Sequence, residues 1–161
     1  MIARVGLAVL AAILSVVPMV GQSVPLLEKK VISLGAAKKM VAVGEAEAVK
    51  NNLKLSFTVV DDSGNLIFFE HMDGASLSTI DYSQGKARTA ARNNSPSGNF
   101  EDRLNDGKLI GLAFPGVTAL RGGLPIVVDG KVVGAIAASG ARTGAQDEAC
   151  VQAGIDAVMK P

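Results

Sequence analysis

Cysteine occurs once in the 161 residues, histidine once, and tryptophan not at all. A single cysteine cannot close an internal disulfide. One His with one Cys also falls short of a structural zinc site, which takes four ligands of those types. Aromatic side chains make up 4% of the chain, so a flat ligand has to be held mostly by aliphatic and small side chains. An excess of one charge is missing too: 16 Lys+Arg oppose 15 Asp+Glu, for a net +1. Domains that bind nucleic acid show a clear basic excess, and no nucleic-acid partner is expected here. One histidine serves at most one catalytic triad, and no Gly-x-Ser-x-Gly elbow is present.

What is present is the composition of a folded chain, 48% hydrophobic and 19% charged, at a length that suits one domain. Residues 1–23 stand apart. Arg4 is their only charge, Val5 to Val17 is a nearly unbroken apolar run, Pro18 breaks it, and Gly21-Gln22-Ser23 follows with small residues. That is the pattern of a secretory signal peptide, and the run is short of the roughly 20 apolar residues of a permanent span. The expected organisation is a signal over 1–23 and one domain over 24–161. The protein would be exported, periplasmic or extracellular, with no stable membrane insertion after cleavage. In an oxidising compartment Cys150 is expected to be buried.

Ser33 can cap a helix from Leu34 to about Asn52, with Ala37, Met40, Val41, Gly44 and Ala48 on its inner face. Leu55–Val60 and Leu66–His71 alternate around the turn Asp62-Ser63-Gly64-Asn65 and predict a hairpin. Ser76 or Ser78 starts a second helix, whose predicted inner face is Ile80, Ser83, Gln84, Ala87 and Ala91. A short helix is expected within Phe100–Leu109, and a loop over Phe114–Gly123. Leu124–Val128 and Val132–Ile136 flank Asp129-Gly130, a two-residue turn of the kind that tight hairpins need. Pro125 belongs at a strand end or edge. Asp147 and Glu148 start the last helix, which turns Cys150, Ala153, Gly154, Ala157 and Val158 inward. The order α-β-β-α-(α)-β-β-α predicts an α+β domain with an antiparallel sheet from two hairpins packed with helices.

Several of these stretches resemble the GlcG/HbpS family, the haem-degrading domain. They are TVVDDSGNLIFFEHMDGAS from Thr58, GKARTAAR at Gly85–Arg92, GGLPIVVDGKVVGAIAASGA at Gly122–Ala141, and DEACVQAGIDAV at Asp147–Val158. The chain is also similar to the C-terminal domain of PduO-type proteins. The resemblance runs from Ser33 onward. It implies a profilin-like fold, assembly into a homo-oligomer and, for some members, haem binding.

On this basis the expected function is an exported small-ligand-binding protein, with haem as the cofactor or cargo. Alternatives are a haem-degrading enzyme, or a non-catalytic scaffold or sensory accessory protein that binds another carboxylated or corrinoid ligand. Arg88 and Arg92 lie four apart and share a helix face, with Lys86 nearby. Such cations pair with propionates through charge-assisted hydrogen bonds. Gly122 and Gly123 either bring a backbone close to a ligand or shape a strand entry. His71 is the first choice for an iron ligand, although the family more often has a basic residue at about that place. Met72 and Tyr82 are further candidate donors. No residue is identified as catalytic.

Overall fold

The computed structural model describes residues 24–160, so the signal-like segment lies outside the described residues. The elements are α1 (Leu34–Lys50), β1 (Ser56–Asp61), β2 (Leu66–His71), α2 (Ser78–Arg92) and α3 (Gly98–Asn105). After them come a 3-10 turn (Leu109–Ala113), β3 (Gly123–Val128), β4 (Lys131–Ser139) and α4 (Gly144–Met159). The strands form one antiparallel sheet in the order β2-β1-β4-β3. Each hairpin pairs with itself, and β1 and β4 join the two at the centre. The α+β class predicted from the sequence is the one observed.

Helices cover both sheet faces. α1 and α4 pack together on one face, while α2 crosses β1, β4 and β3 on the other. Side-chain alternation separates the two cores. Phe57 and Val59 of β1 and Ile136 and Ala138 of β4 enter the α1/α4 core with Met40, Val41, Cys150 and Val151. Their neighbours Val60, Ala135 and Ala137 meet Ala87, Ala90 and Ala91 of α2. The second core is almost all alanine, so α2 lies close to the sheet.

The predicted inner face of α1 is the observed one: Ala37, Met40, Val41, Gly44 and Ala48 are buried, and Ser33 Oγ accepts from Ala36 N at 3.1 Å. The Asp129-Gly130 turn has φ of 50° and 73°, both positive as a tight hairpin requires. Pro125 lies on β3, an edge strand, where its missing N–H leaves no central ladder bond broken. Two predictions shift. α4 begins at Gly144, where Thr143 and Gln146 form a capping box; Asp147 is therefore already inside the helix. The expected short helix moves to Gly98–Asn105, followed by the 3-10 turn.

Close approach of α1 and α4 depends on two glycines. A Cβ at Gly44 would sit 2.9 Å from the Phe57 ring and 3.0 Å from the Cys150 carbonyl oxygen, and one at Gly154 would overlap the Met40 carbonyl. Gly154→Ala is expected to force the helices apart and cost about 1–3 kcal/mol, measurable as a lower denaturant midpoint with the slope unchanged.

Candidate functional site

α2 separates two clefts, and the residues singled out from the sequence divide between them. The first, of about 710 Å³, lies on the outer side of α2. Arg88 and Arg92 form its positive wall, and Asp81 adds one carboxylate to the lining. The turn at Gly64–Leu66 and the segment Gly116–Thr118 close its sides, and Gly85 contributes to its surface. A Cβ at Gly85 would overlap the Thr118 side chain; glycine lets that segment settle onto the helix, where Thr118 N–H donates to Thr89 Oγ1 at 2.8 Å. Arg88 Nη2 donates to Gln84 Oε1 at 3.2 Å, and Arg92 Nε donates to the Ser63 carbonyl at 2.9 Å. Each guanidinium carries five N–H donors, so these braces orient the groups while leaving most donors for a ligand. The apolar contribution to this cleft is small, from Leu66 and Val117.

Lys86 does not join those arginines. The sequence-based grouping assigned it to the same basic edge, but the buried face of α2 is rotated from the predicted one. Thr79, Ser83, Lys86, Ala87, Thr89, Ala90 and Ala91 are inside, while Ile80 and Gln84 are only half-buried. Lys86 is 3% exposed; its Nζ donates to Asp147 Oδ2 at 2.8 Å and to the Ala138 carbonyl at 3.1 Å. Asp147, also 3% exposed, accepts from Ala141 N–H through its other oxygen at 3.0 Å. Burial pushes the Asp147 carboxyl above the ordinary aspartate range, and the Lys86 charge opposes that shift. Spacing carried a missed signal: Lys86 lies three residues after Ser83 and four before Ala90, the separations that share a helix face.

The second cleft, of about 260 Å³, opens over this ion pair on the other flank of α2. Tyr82, Glu101, Arg121 and Ser139 line it along with Lys86 and Asp147. Gly122, at φ 128°, sits beside the pair: a Cβ there would fall 2.8 Å from Lys86 Nζ and 2.7 Å from the Ala138 carbonyl oxygen. Gly123 lies against the Lys86 carbonyl, and its N–H donates to Ser97 Oγ at 2.9 Å. Both glycines therefore bring the entry of β3 against α2. Arg121 is held by Asp102 at 2.6 Å and Glu148 at 3.2 Å. Asp147, Ser139 and Arg121 were not recognised as site residues from the sequence, because their role depends on chain segments far apart in order.

His71 is in neither cleft. It ends β2 on the α2-facing side, with Nδ1 2.7 Å from Ser56 Oγ, which is 2.6 Å from Thr79 Oγ1. Along β2 it lies five strand steps of ~3.4 Å each, ~17 Å, from Leu66 at the far side of the arginine cleft. Met72 Sδ accepts from the Leu55 N–H at 3.3 Å. Tyr82 lines the second cleft and is 47% exposed.

Comparison with known proteins agrees with this architecture. Residues 32–156 match the family model described as "Haem degrading protein HbpS-like". The chain belongs to the HbpS-like family. Protein GlcG of Escherichia coli (strain K12) is 38% identical over 111 residues, covering 69% of this chain and 83% of that protein. A crystal structure of a double mutant of Streptomyces reticuli HbpS has a TM-score of 0.79 at 30% identity, over 90% of this chain and 98% of that one. The PduOC:Heme complex shares the fold, with a TM-score of 0.73 at 21% identity over 81% and 96% of the two chains.

Within this HbpS-like fold the Lys86–Asp147 pair makes a specific prediction. Lys86→Met leaves a buried carboxylate without its partner, and such losses cost about 3–5 kcal/mol. Without the lysine, the Asp147 carboxyl in the folded state holds its proton to higher pH than in the unfolded chain. The destabilisation is therefore small below the unfolded aspartate range, grows as pH rises from there toward the raised folded value, and levels off above it. Denaturant midpoints of the variant and the parent should converge near pH 4 and separate by pH 8.

Proposed function

We propose that the protein is an exported, oligomeric haem-binding protein in which Arg88 and Arg92 pair with the propionates. The observation that carries this reading is the arginine pair. Two braced guanidinium groups on one helix face, with donors to spare, look onto a glycine-walled cleft open enough for a planar ligand. The description of the matching family names haem, and a solved protein of the same fold is a haem complex. The residues fit the carboxylate end of the group well. They fit its apolar face less well, because Leu66 and Val117 are the large apolar side chains of the cleft.

A second copy of the chain would supply the missing apolar wall. The segment leading into Gly116–Thr118 exposes Leu109, Ile110, Leu112 and Phe114 at 51–70%. Four such side chains in one short stretch suit burial between subunits. Export rests on the signal-like residues 1–23; among the described residues, no helix is long and apolar enough to cross a membrane. His71 lines neither cleft and is engaged with Ser56, so this reading assigns no iron to it. Binding is favoured over haem degradation as the primary role because the two braced arginines are anchors for charge, and Asp81 is the one carboxylate beside them. The family description keeps degradation as the second reading, recognised by consumption of bound haem when a reductant is supplied.

Haem titrated into the protein should give a saturable Soret change. Arg88→Ala with Arg92→Ala should weaken binding at least tenfold, while the dimethyl ester of haem should bind parent and variant alike. Equal losses for both ligands would remove the charge pairing. His71→Ala should leave the Soret position unchanged, and a shifted band would return His71 to the iron. For the assembly, Ile110→Lys with Leu112→Lys is expected to lower the mass by light scattering while circular dichroism stays at parent values.

A further inference from the structure

We propose that the second cleft is a separate binding site for a small uncharged carbonyl compound, with its oxygen accepting from the Lys86 ammonium and from the Ser139 hydroxyl. Three observations support this. The ammonium has three N–H donors, and the protein takes two of them, through the Ala138 carbonyl and Asp147 Oδ2. The third belongs to a buried cation that nonetheless lines a cleft.

Gly122 provides the second observation. Its positive φ, and the 2.8 Å between a Cβ built there and Lys86 Nζ, show a bare backbone packed directly against the ammonium, which fixes the position of the cation beside the cleft. Ser139, 5% exposed, brings a hydroxyl into the same cleft, and Tyr82 brings a phenol. Donors therefore converge on one small volume.

Charge and size then define the ligand. Lys86 is balanced by Asp147, and Arg121 is held by both Asp102 and Glu148. Glu101, whose Oε2 accepts from Arg121 N–H at 2.7 Å, adds a further negative group to the lining. The surroundings carry two positive groups against four negative ones, which disfavours an anion, while the remaining Lys86 N–H and the Ser139 hydroxyl are donors that a cation cannot satisfy; a neutral acceptor oxygen is the matching group. At ~30 Å³ per water, about 260 Å³ accommodates roughly eight non-hydrogen atoms, far fewer than a macrocycle. A ketone, an amide or an aldehyde of two to six carbons fits; haem does not.

Acetamide and acetone serve as probes, because neither carries charge and acetamide does not condense with an amine. Titration followed by amide NMR should give saturable shifts at Gly122, Ser139 and Gly140 in the millimolar range. Ser139→Ala, which removes one donor without touching the ion pair, should weaken acetamide at least threefold, while Arg88→Ala should leave it unchanged. Haem-loaded protein should show the same shifts, so failure of the haem reading and failure of this one are separate results. The proposal is overturned if neither probe gives saturable shifts at these residues, if acetate binds more tightly than acetamide, or if Ser139→Ala has no effect.

Discussion

Lys86 and Asp147 come from α2 and α4, two helices on opposite faces of the sheet, and they meet at the end of β4, where Lys86 also holds the Ala138 carbonyl. The contact fixes the height and rotation of α2 relative to the strands. Every feature of interest on that side follows from this placement: Arg88 and Arg92 turn outward because Lys86 turns inward, and Gly122 approaches because a side chain there would strike the ammonium. Such a pair is costly to bury. What it provides is a defined rotation for a helix whose other contacts are smooth.

That smoothness is the second constraint. Ala87, Ala90 and Ala91 against Ala135 and Ala137 offer little interdigitation. Two hydroxyl contacts continue the line toward the start of the helix, Thr58 with Ser83 at 2.9 Å and Ser56 with Thr79 at 2.6 Å. The layer under α2 is thus part alanine and part hydroxyl, whereas the α1/α4 layer holds Phe57, Met40 and Ile136. Large apolar groups stabilise one side of the sheet, and the other side is left thin enough to carry two clefts.

Most of the fold was legible because its signals are local. Ser33, Asp129-Gly130 and the spacing of Ala37, Met40, Val41, Gly44 and Ala48 each act within a few residues, and each appears in the structure where the sequence puts it. The site was legible only in part. Arg88 and Arg92 share a face by spacing alone. The rotation of α2 was misjudged, however, because Ile80 looks more like a core residue than Lys86 does. Only a carboxylate 61 positions later reverses that preference. Single-sequence reading cannot supply a partner so distant, and it equally missed the exposed stretch Leu109–Phe114, whose apolar residues resemble a core segment until the fold leaves them outside.

Cys150 has a practical consequence. Its thiol is 1% exposed between α4 and the strands, and burial raises its pKa to about 11. A thiol so protected, and so rarely ionised near neutrality, is slow to react with alkylating reagents. Once α4 lifts away, the group becomes an ordinary cysteine. With no second thiol in the chain to confuse the signal, labelling reports the opening of the α1/α4 layer alone, as the fraction of time open at low reagent and as the opening rate once reagent outpaces reclosing, giving this fold an internal gauge of breathing motions that no added probe would have to disturb.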